Sequence, residues 1–252
     1  MSASRPARSS SRTPWLIAVI AIVVLAAAGG GLWYLFFRPS GPAPVALASA
    51  SPAAPGASQA SGSGSAPGSL DGTWTVDPSV GSFSDFSGTF AGYRVQEKLA
   101  NVGATTAVGR TPDVTGSFTL AGSQVTAATF EVNLATLVSD ERFRDGQLKR
   151  QALETDAFPS ATFTLTAPAD LGGIPAEGQD VSVTVTGDLT LHGTTKQVQI
   201  PLQARLAGGV VTIAGSLEIA FADFGIGKPQ SMMVLSVEDH GTLELQLQLK
   251  RS

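Results

Sequence analysis

Beyond Thr73, apolar and polar residues alternate one by one over most of the chain. Gly116, Phe118 and Leu120 face away from Ser117 and Thr119, and Ala128, Phe130, Val132 and Leu134 away from Thr129, Glu131 and Asn133. The same period of two runs through Phe163 and Leu165, through Val181, Val183 and Val185, and on through Leu189 and Leu191. It continues in Val198, Ile200 and Leu202, in Leu217, Ile219 and Phe221, and in Leu243, Leu245, Leu247 and Leu249. Such segments predict antiparallel strands with one apolar and one wet face. Turn-forming groups separate them: Ala121-Gly122-Ser123, Asp170-Leu171-Gly172-Gly173, His192-Gly193, Gly208-Gly209 and Asp239-His240-Gly241. Several strands run to about ten residues, a length that suits a curled sheet closing on itself and leaving no edge exposed. The expected fold over residues 70–252 is an all-β antiparallel barrel.

One segment breaks the period. Residues 139–154 (SDERFRDGQLKRQALE) begin with a cap-like Ser139 and acids in the first turn, and Asp145 precedes Lys149 by four positions. That pattern predicts one short helix, weakened at Gly146, lying as a plug or lid across one barrel mouth.

The N-terminal quarter follows other rules. Residues 15–37 (WLIAVIAIVVLAAAGGGLWYLFF) carry no charge, and a helix of this length spans a hydrocarbon core of roughly 30 Å. Trp15, Trp33 and Tyr34 suit the two interfaces, and Arg5, Arg8 and Arg12 precede the span. By the positive-inside bias, residues 1–14 are cytoplasmic and the remainder extracytoplasmic. A cleaved signal peptide is the rival reading, since Ala46-Leu47-Ala48 resembles a cleavage site; the apolar run is longer than such peptides use. Residues 38–69, almost entirely Pro, Ala, Gly and Ser, read as a disordered linker.

Composition narrows the function. The chain has no Cys, which excludes disulfide scaffolds, thiol catalysis and Cys-ligated zinc. All 20 acidic residues lie at or beyond Asp71, and with twelve Lys and Arg there the C-terminal region carries a net −8. Such a field argues against nucleic acid as a partner. His192 and His240, the two histidines, sit in apparent turns, and no G-x-S-x-G elbow or spaced triad is present. No catalytic or metal site is expected.

The chemistry that remains is apolar. Tyr93, Val95, Phe118, Phe130, Val132, Phe163, Leu165, Leu189, Leu191, Ile200, Leu202, Ile219, Leu245 and Leu247 point inward on this pattern. They either line a cavity for an apolar lipid or interdigitate into a solid core; an eight-stranded barrel sits at the size where both occur. Glu97 shares the apolar face of Tyr93, Val95 and Leu99. A carboxylate there contacts a ligand head group, or lies near the rim and pairs with Arg94 or Arg110.

Six blocks in order give the region a family likeness: Trp74-Thr75-Val76-Asp77-Pro78, Val114-Thr115-Gly116-Ser117-Phe118, Phe143-Arg144-Asp145-Gly146-Gln147-Leu148, Phe158-Pro159-Ser160-Ala161-Thr162-Phe163, residues 187–196 (GDLTLHGTTK), and Ala222-Asp223-Phe224-Gly225-Ile226-Gly227. Residues 70–252 resemble the YceI-like family of lipocalin-like barrels that bind polyisoprenoid lipids. The resemblance implies an apolar ligand such as a quinone or polyprenyl lipid, no cofactor beyond that lipid, and a secreted or periplasmic setting. Three departures touch the entrance and wall, the first being that the stretch Phe90 to Arg110 is longer than the typical opening. Ser79-Val80-Gly81-Ser82 stands where the family carries a His-Ser pair, and Gly146-Gln147 replaces a bulkier, often His-containing pair.

Overall fold

A computed structural model of the chain describes residues 42–47, 69–100, 103–229 and 234–252, all within the compact unit Ser40–Ser252. The predicted span, residues 15–37, lies outside the described residues. Among those described, no helix is long and apolar enough to cross a membrane.

Among the described residues, thirteen strands form one sheet. In chain order they are β1 (Gly72–Val76), β2 (Phe90–Leu99), β3 (Gly103–Thr111), β4 (Val114–Ala121), β5 (Gln124–Asn133), β6 (Val138–Ser139) and β7 (Ser160–Leu165). Then come β8 (Ala169–Asp170), β9 (Asp180–Leu191), β10 (Thr194–Ala207), β11 (Val210–Ala220), β12 (Val234–Val237) and β13 (His240–Arg251). Every pairing is antiparallel. Eight strands close a ring in the order β1-β4-β5-β7-β9-β10-β11-β13 and back to β1. The expected all-β barrel is therefore present.

β13 serves two neighbours on one side. Its C-terminal end pairs with β1 (Trp74 opposite Arg251), and its N-terminal half pairs with β2 (Arg94 opposite Thr242). The β2–β3 hairpin thus builds the wall at one end of the barrel, and β6 and β12 extend it. Two-residue turns set the long hairpins. His192 and Gly193 have φ of +51° and +71°, and Gly208 and Gly209 of +59° and +76°, as the right-handed twist of the flanking strands requires. His240, by contrast, is not a turn residue; it opens β13.

The inner face carries an apolar layer at each end and a smaller cluster of Ala169, Val185 and Ile200. Trp74, Phe118, Leu120, Ala128, Leu206, Leu247 and Leu249 pack one end, with the Trp74 and Phe118 rings stacked at 6.3 Å. Leu134, Leu137, Leu153, Leu189, Leu191, Ile219 and Phe224 pack the other. Gly116 in β4 shows how tightly the wall is built. Its φ is +135°, and a methyl there would overlap the Thr129 carbonyl and the Phe130 ring. Gly116→Ala is expected to cost about 2–3 kcal/mol, read as a lowered urea midpoint with unchanged slope.

The outer face of β13 is not wet, contrary to the alternation. The segment 77–89 folds over it, and Glu244 and Gln248 are buried. Gln246 Nε2 donates to the carbonyls of Phe86 and Gly88, both at 2.9 Å, and Gln248 Nε2 to that of Ser87 at 2.9 Å. Beside them the Arg110 guanidinium lies between the rings of Phe86 and Phe90, 4.4 and 4.3 Å from their centres. Glu244 accepts from Arg94 at 2.8 Å and from Arg110 at 2.7 Å. Residues of the expected linker join this cluster: Arg94 donates to the Pro42 carbonyl and Arg110 to that of Ala43. Residues 42–47 therefore have a defined course. Polar main-chain acceptors on a Pro-rich strip meet guanidinium hydrogens that one carboxylate cannot use up.

Asp77 pins the start of the covering segment. Its carboxylate pairs with Lys250 at 2.8 Å and accepts from the Ser79 amide at 2.8 Å and hydroxyl at 2.6 Å. The Lys250 contact first, then Ser79, hold its pKa down at about 2. Because the folded value lies below the unfolded one, this contribution is complete above about pH 4 and fades as pH falls through about 2. Following the Asp77 carboxyl carbon by NMR should give a midpoint near that value, and Lys250→Ala should raise it.

Candidate ligand-binding cavity

The inward side chains do not fill the barrel. They surround a cavity of about 630 Å³, within the range of small-molecule sites and lined mostly by aliphatic and aromatic groups. All the interior candidates except Phe118 and Leu165 border it, as does Glu97. Phe118 and Leu165 lie beyond its floor, in the layer around Trp74. Their strands run past the cavity, so correct facing alone does not place a side chain in it.

The other end is bounded by helix α1 (Arg142–Gln147), the turn that follows it, and Ile226, Pro229, Val234 and Val237. The predicted helix over 139–154 is shorter and changes type. Glu141, not Ser139, caps α1 by accepting from the Phe143 amide. Asp145 turns back to accept from the Ser139 amide at 2.9 Å and hydroxyl at 2.6 Å, leaving the expected Lys149 pairing unmade. Past Gly146 the chain widens into a π-helical turn, Leu148–Ala152, with the Leu153 amide on the Leu148 carbonyl at 2.8 Å. This widening delivers Leu148, Ala152 and Leu153 to the cavity.

Charge gathers at this end. Glu97, with a side chain 7% exposed, pairs with Arg144 of α1 at 2.8 Å, and Arg144 also binds Asp140 at 2.6 Å. Neither Arg94 nor Arg110 reaches Glu97, because both are taken by Glu244 on the outer face. Nor are Asp140, Glu141 and Arg144 merely a solvated helix end: all three border the cavity. Burial works against the Arg144 charge, but Glu97 and Asp140 outweigh it and hold its pKa above the ordinary value. Burial likewise pushes the Tyr93 phenol up, so it keeps its proton.

Sequence reasoning missed Arg144 and Gln147 as cavity groups. The signal was available in the helix period, since Arg144, Gln147 and Leu148 share one helical face. The histidines are elsewhere. His192 Nδ1 binds the Phe224 carbonyl at 3.1 Å and its ring packs on Phe158, tying the β9–β10 turn to the segment after β11. Glu238, Asp239 and His240 bring ligand-type atoms within 4.8 Å of one another, all exposed, while Asp223 pairs with Lys196 at 3.3 Å.

With barrel, cavity and helical cover defined, comparison with known proteins is direct. The model of the YceI-like domain matches residues 74–249, which takes in part or all of every strand of the ring. The chain belongs to the YceI-like family. A UPF0312 protein of Shewanella denitrificans is 32% identical over 141 residues, covering 52% of this chain and 70% of that one. One from Shewanella baltica is 31% identical over 138 residues, covering 51% and 69%. Among solved structures, a polyisoprenoid binding domain from Saccharophagus degradans, implicated in plant cell wall breakdown, superposes with a TM-score of 0.53. It is 19% identical and covers 71% of this chain and 98% of its own. Burkholderia cenocepacia BcnA gives 0.48 at 20% identity, covering 63% and 95%. The family match and the Saccharophagus degradans superposition agree on the barrel fold.

Proposed function

We propose that this YceI-like protein holds or shuttles a polyisoprenoid-type lipid, such as a quinone or polyprenyl lipid, outside the cytoplasm while tethered to the membrane by its N-terminal segment. The observation that carries the reading is the cavity of about 630 Å³ with its apolar lining. Burying a hydrocarbon chain there releases roughly 0.8 kcal/mol per CH₂ before ordering costs. A filled barrel acting only through its surface is disfavoured by the same void. The Saccharophagus degradans domain, named for polyisoprenoid binding, lends support at the level of fold. The tether rests on the uncharged run of residues 15–37 and the arginines before it.

The test is native mass spectrometry of the full chain produced in a quinone-making host, followed by organic extraction and lipid mass spectrometry. The expected result is one long-chain isoprenoid per chain. A ligand-free mass, together with no uptake of added quinone or polyprenyl lipid, would sink the proposal.

A further inference from the structure

Beneath the cavity lies a second void. It measures about 100 Å³, presents carbon surface only, and is bounded by Trp74, Leu120, Leu171 and Leu206 among others. Protein interiors close-pack and leave few voids larger than a water, so an apolar gap under an apolar floor stands out. Nothing polar there would hold water.

The floor between the two voids is thin. Five described residues border both: Phe130, Phe163, Val185, Leu202 and Ile213. They come one each from β5, β7, β9, β10 and β11, successive strands of the ring, and form a belt one residue deep along that side of the barrel. Phe130 and Phe163 are its largest members, opposite each other in the β5–β7 pairing, and both keep accessible surface.

Glycines fix where the two rings lie. Phe130 stands opposite Gly116 of β4, and a Cβ on Gly116 would lie 2.7 Å from the Phe130 ring. A Cβ on Gly187 of β9 would lie 2.4 Å from Phe163 Cζ. Each ring is seated in the space that a side chain on the next strand would take, and the strand behind leaves it nowhere to retreat.

The volumes translate into chain length. At about 30 Å³ for a group the size of water or methylene, 630 Å³ holds on the order of twenty carbons, about four isoprene units. The lower void adds about three carbons and a truncated phenyl ring about six, together close to two more units.

We propose that Phe130 and Phe163 are the length stop of the lipid site. They end the bound chain at about four isoprene units, and the room behind them stays closed to it. The inference rests on the lipid-cavity reading above and adds the length of chain that the cavity takes.

The test offers the full chain, stripped of lipid, an equimolar mixture of geranylgeraniol and hexaprenol, and the retained alcohols are extracted and counted. Hexaprenol is the same chain extended by the isoprene units that the lower void and a vacated ring would house. In the wild-type protein that extension stays in water, and hexaprenol is expected to hold no advantage. Phe163→Ala and Phe130→Ala each join the voids and should favour hexaprenol by at least about tenfold, a fraction of what burying one isoprene unit releases. Adding Ala204→Leu, which refills the lower void alone, to Phe163→Ala should bring the ratio back toward that of the wild type. A melting transition recorded for every variant identifies any that has not folded. Phe163→Leu, with a smaller loss of volume, then carries the comparison and should move the ratio the same way. A wild-type preference for hexaprenol of that size would overturn the stop, and so would folded variants whose ratio does not move. Either result leaves the cavity reading in place. Retention of neither alcohol by any of the proteins would overturn the cavity reading itself.

Discussion

Ala161→Phe and Ala107→Phe are each expected to cut the lipid recovered with the protein by more than tenfold. Both alanines are buried, border the cavity, and stand on separate walls, β7 and β3. A phenyl ring in place of a methyl projects into space that a hydrocarbon chain would use, and the ring cannot be displaced without exposing it to water. The change fills a void rather than crowding a packed core, so stability should be held or improved. That combination, lost ligand with an intact melting transition, is what quantitative lipid extraction beside calorimetry would read. Undiminished lipid in both variants would mean that the ligand sits elsewhere on the molecule.

The second large effect concerns folding. Glu244 is the only carboxylate placed between Arg94 and Arg110 among the described ion pairs, and its side chain is 1% exposed. Glu244→Ala leaves the Arg110 guanidinium, 4% exposed, with no counter-charge between Phe86 and Phe90. Breaking one partner out of a buried pair costs about 3–5 kcal/mol. At about 2–4 °C per kcal/mol for a domain of this size, the melting temperature should fall by roughly 6–20 °C. Glu244→Gln keeps the shape and one acceptor and should fall between the two. A loss under about 1 kcal/mol for Glu244→Ala would show that water enters the cluster and screens it.

The strands were legible because period two is a strong signal wherever one face is buried. The run from Val181 to Leu191 gives β9, and the run from Leu243 to Leu249 lies within β13. The inward set followed from the same signal, down to Glu97. What the alternation cannot carry is depth along the barrel, so Phe118 and Leu165 looked equivalent to Phe130 and Phe163. Partner choice was equally opaque. Arg94 and Arg110 are nearer Glu97 in sequence, yet Arg144 reaches it because α1 crosses the mouth on the inner side. The covered outer face was hidden for a related reason. Gln246 and Gln248 read as solvent-facing, and only the return of segment 77–89 turns their amides into braces. The helix was recognisable by its broken period, but its change of type after Gly146 depends on where Leu148 and Leu153 must point.

The grip on Pro42 and Ala43 has a mechanical consequence. The chain is held there by β2 and β3 and again at Ser69, whose carbonyl accepts from Arg251 at 2.8 Å. Both grips lie on the barrel, the first on β2 and β3 and the second on β13. Tension arriving along the chain from its N-terminal side enters the barrel at the Arg94–Glu244–Arg110 cluster rather than at β1. That cluster backs the strand whose opposite face carries Leu243 and Leu245 into the cavity. A pull on Pro42 and Ala43 is therefore delivered to the strands that wall the cavity.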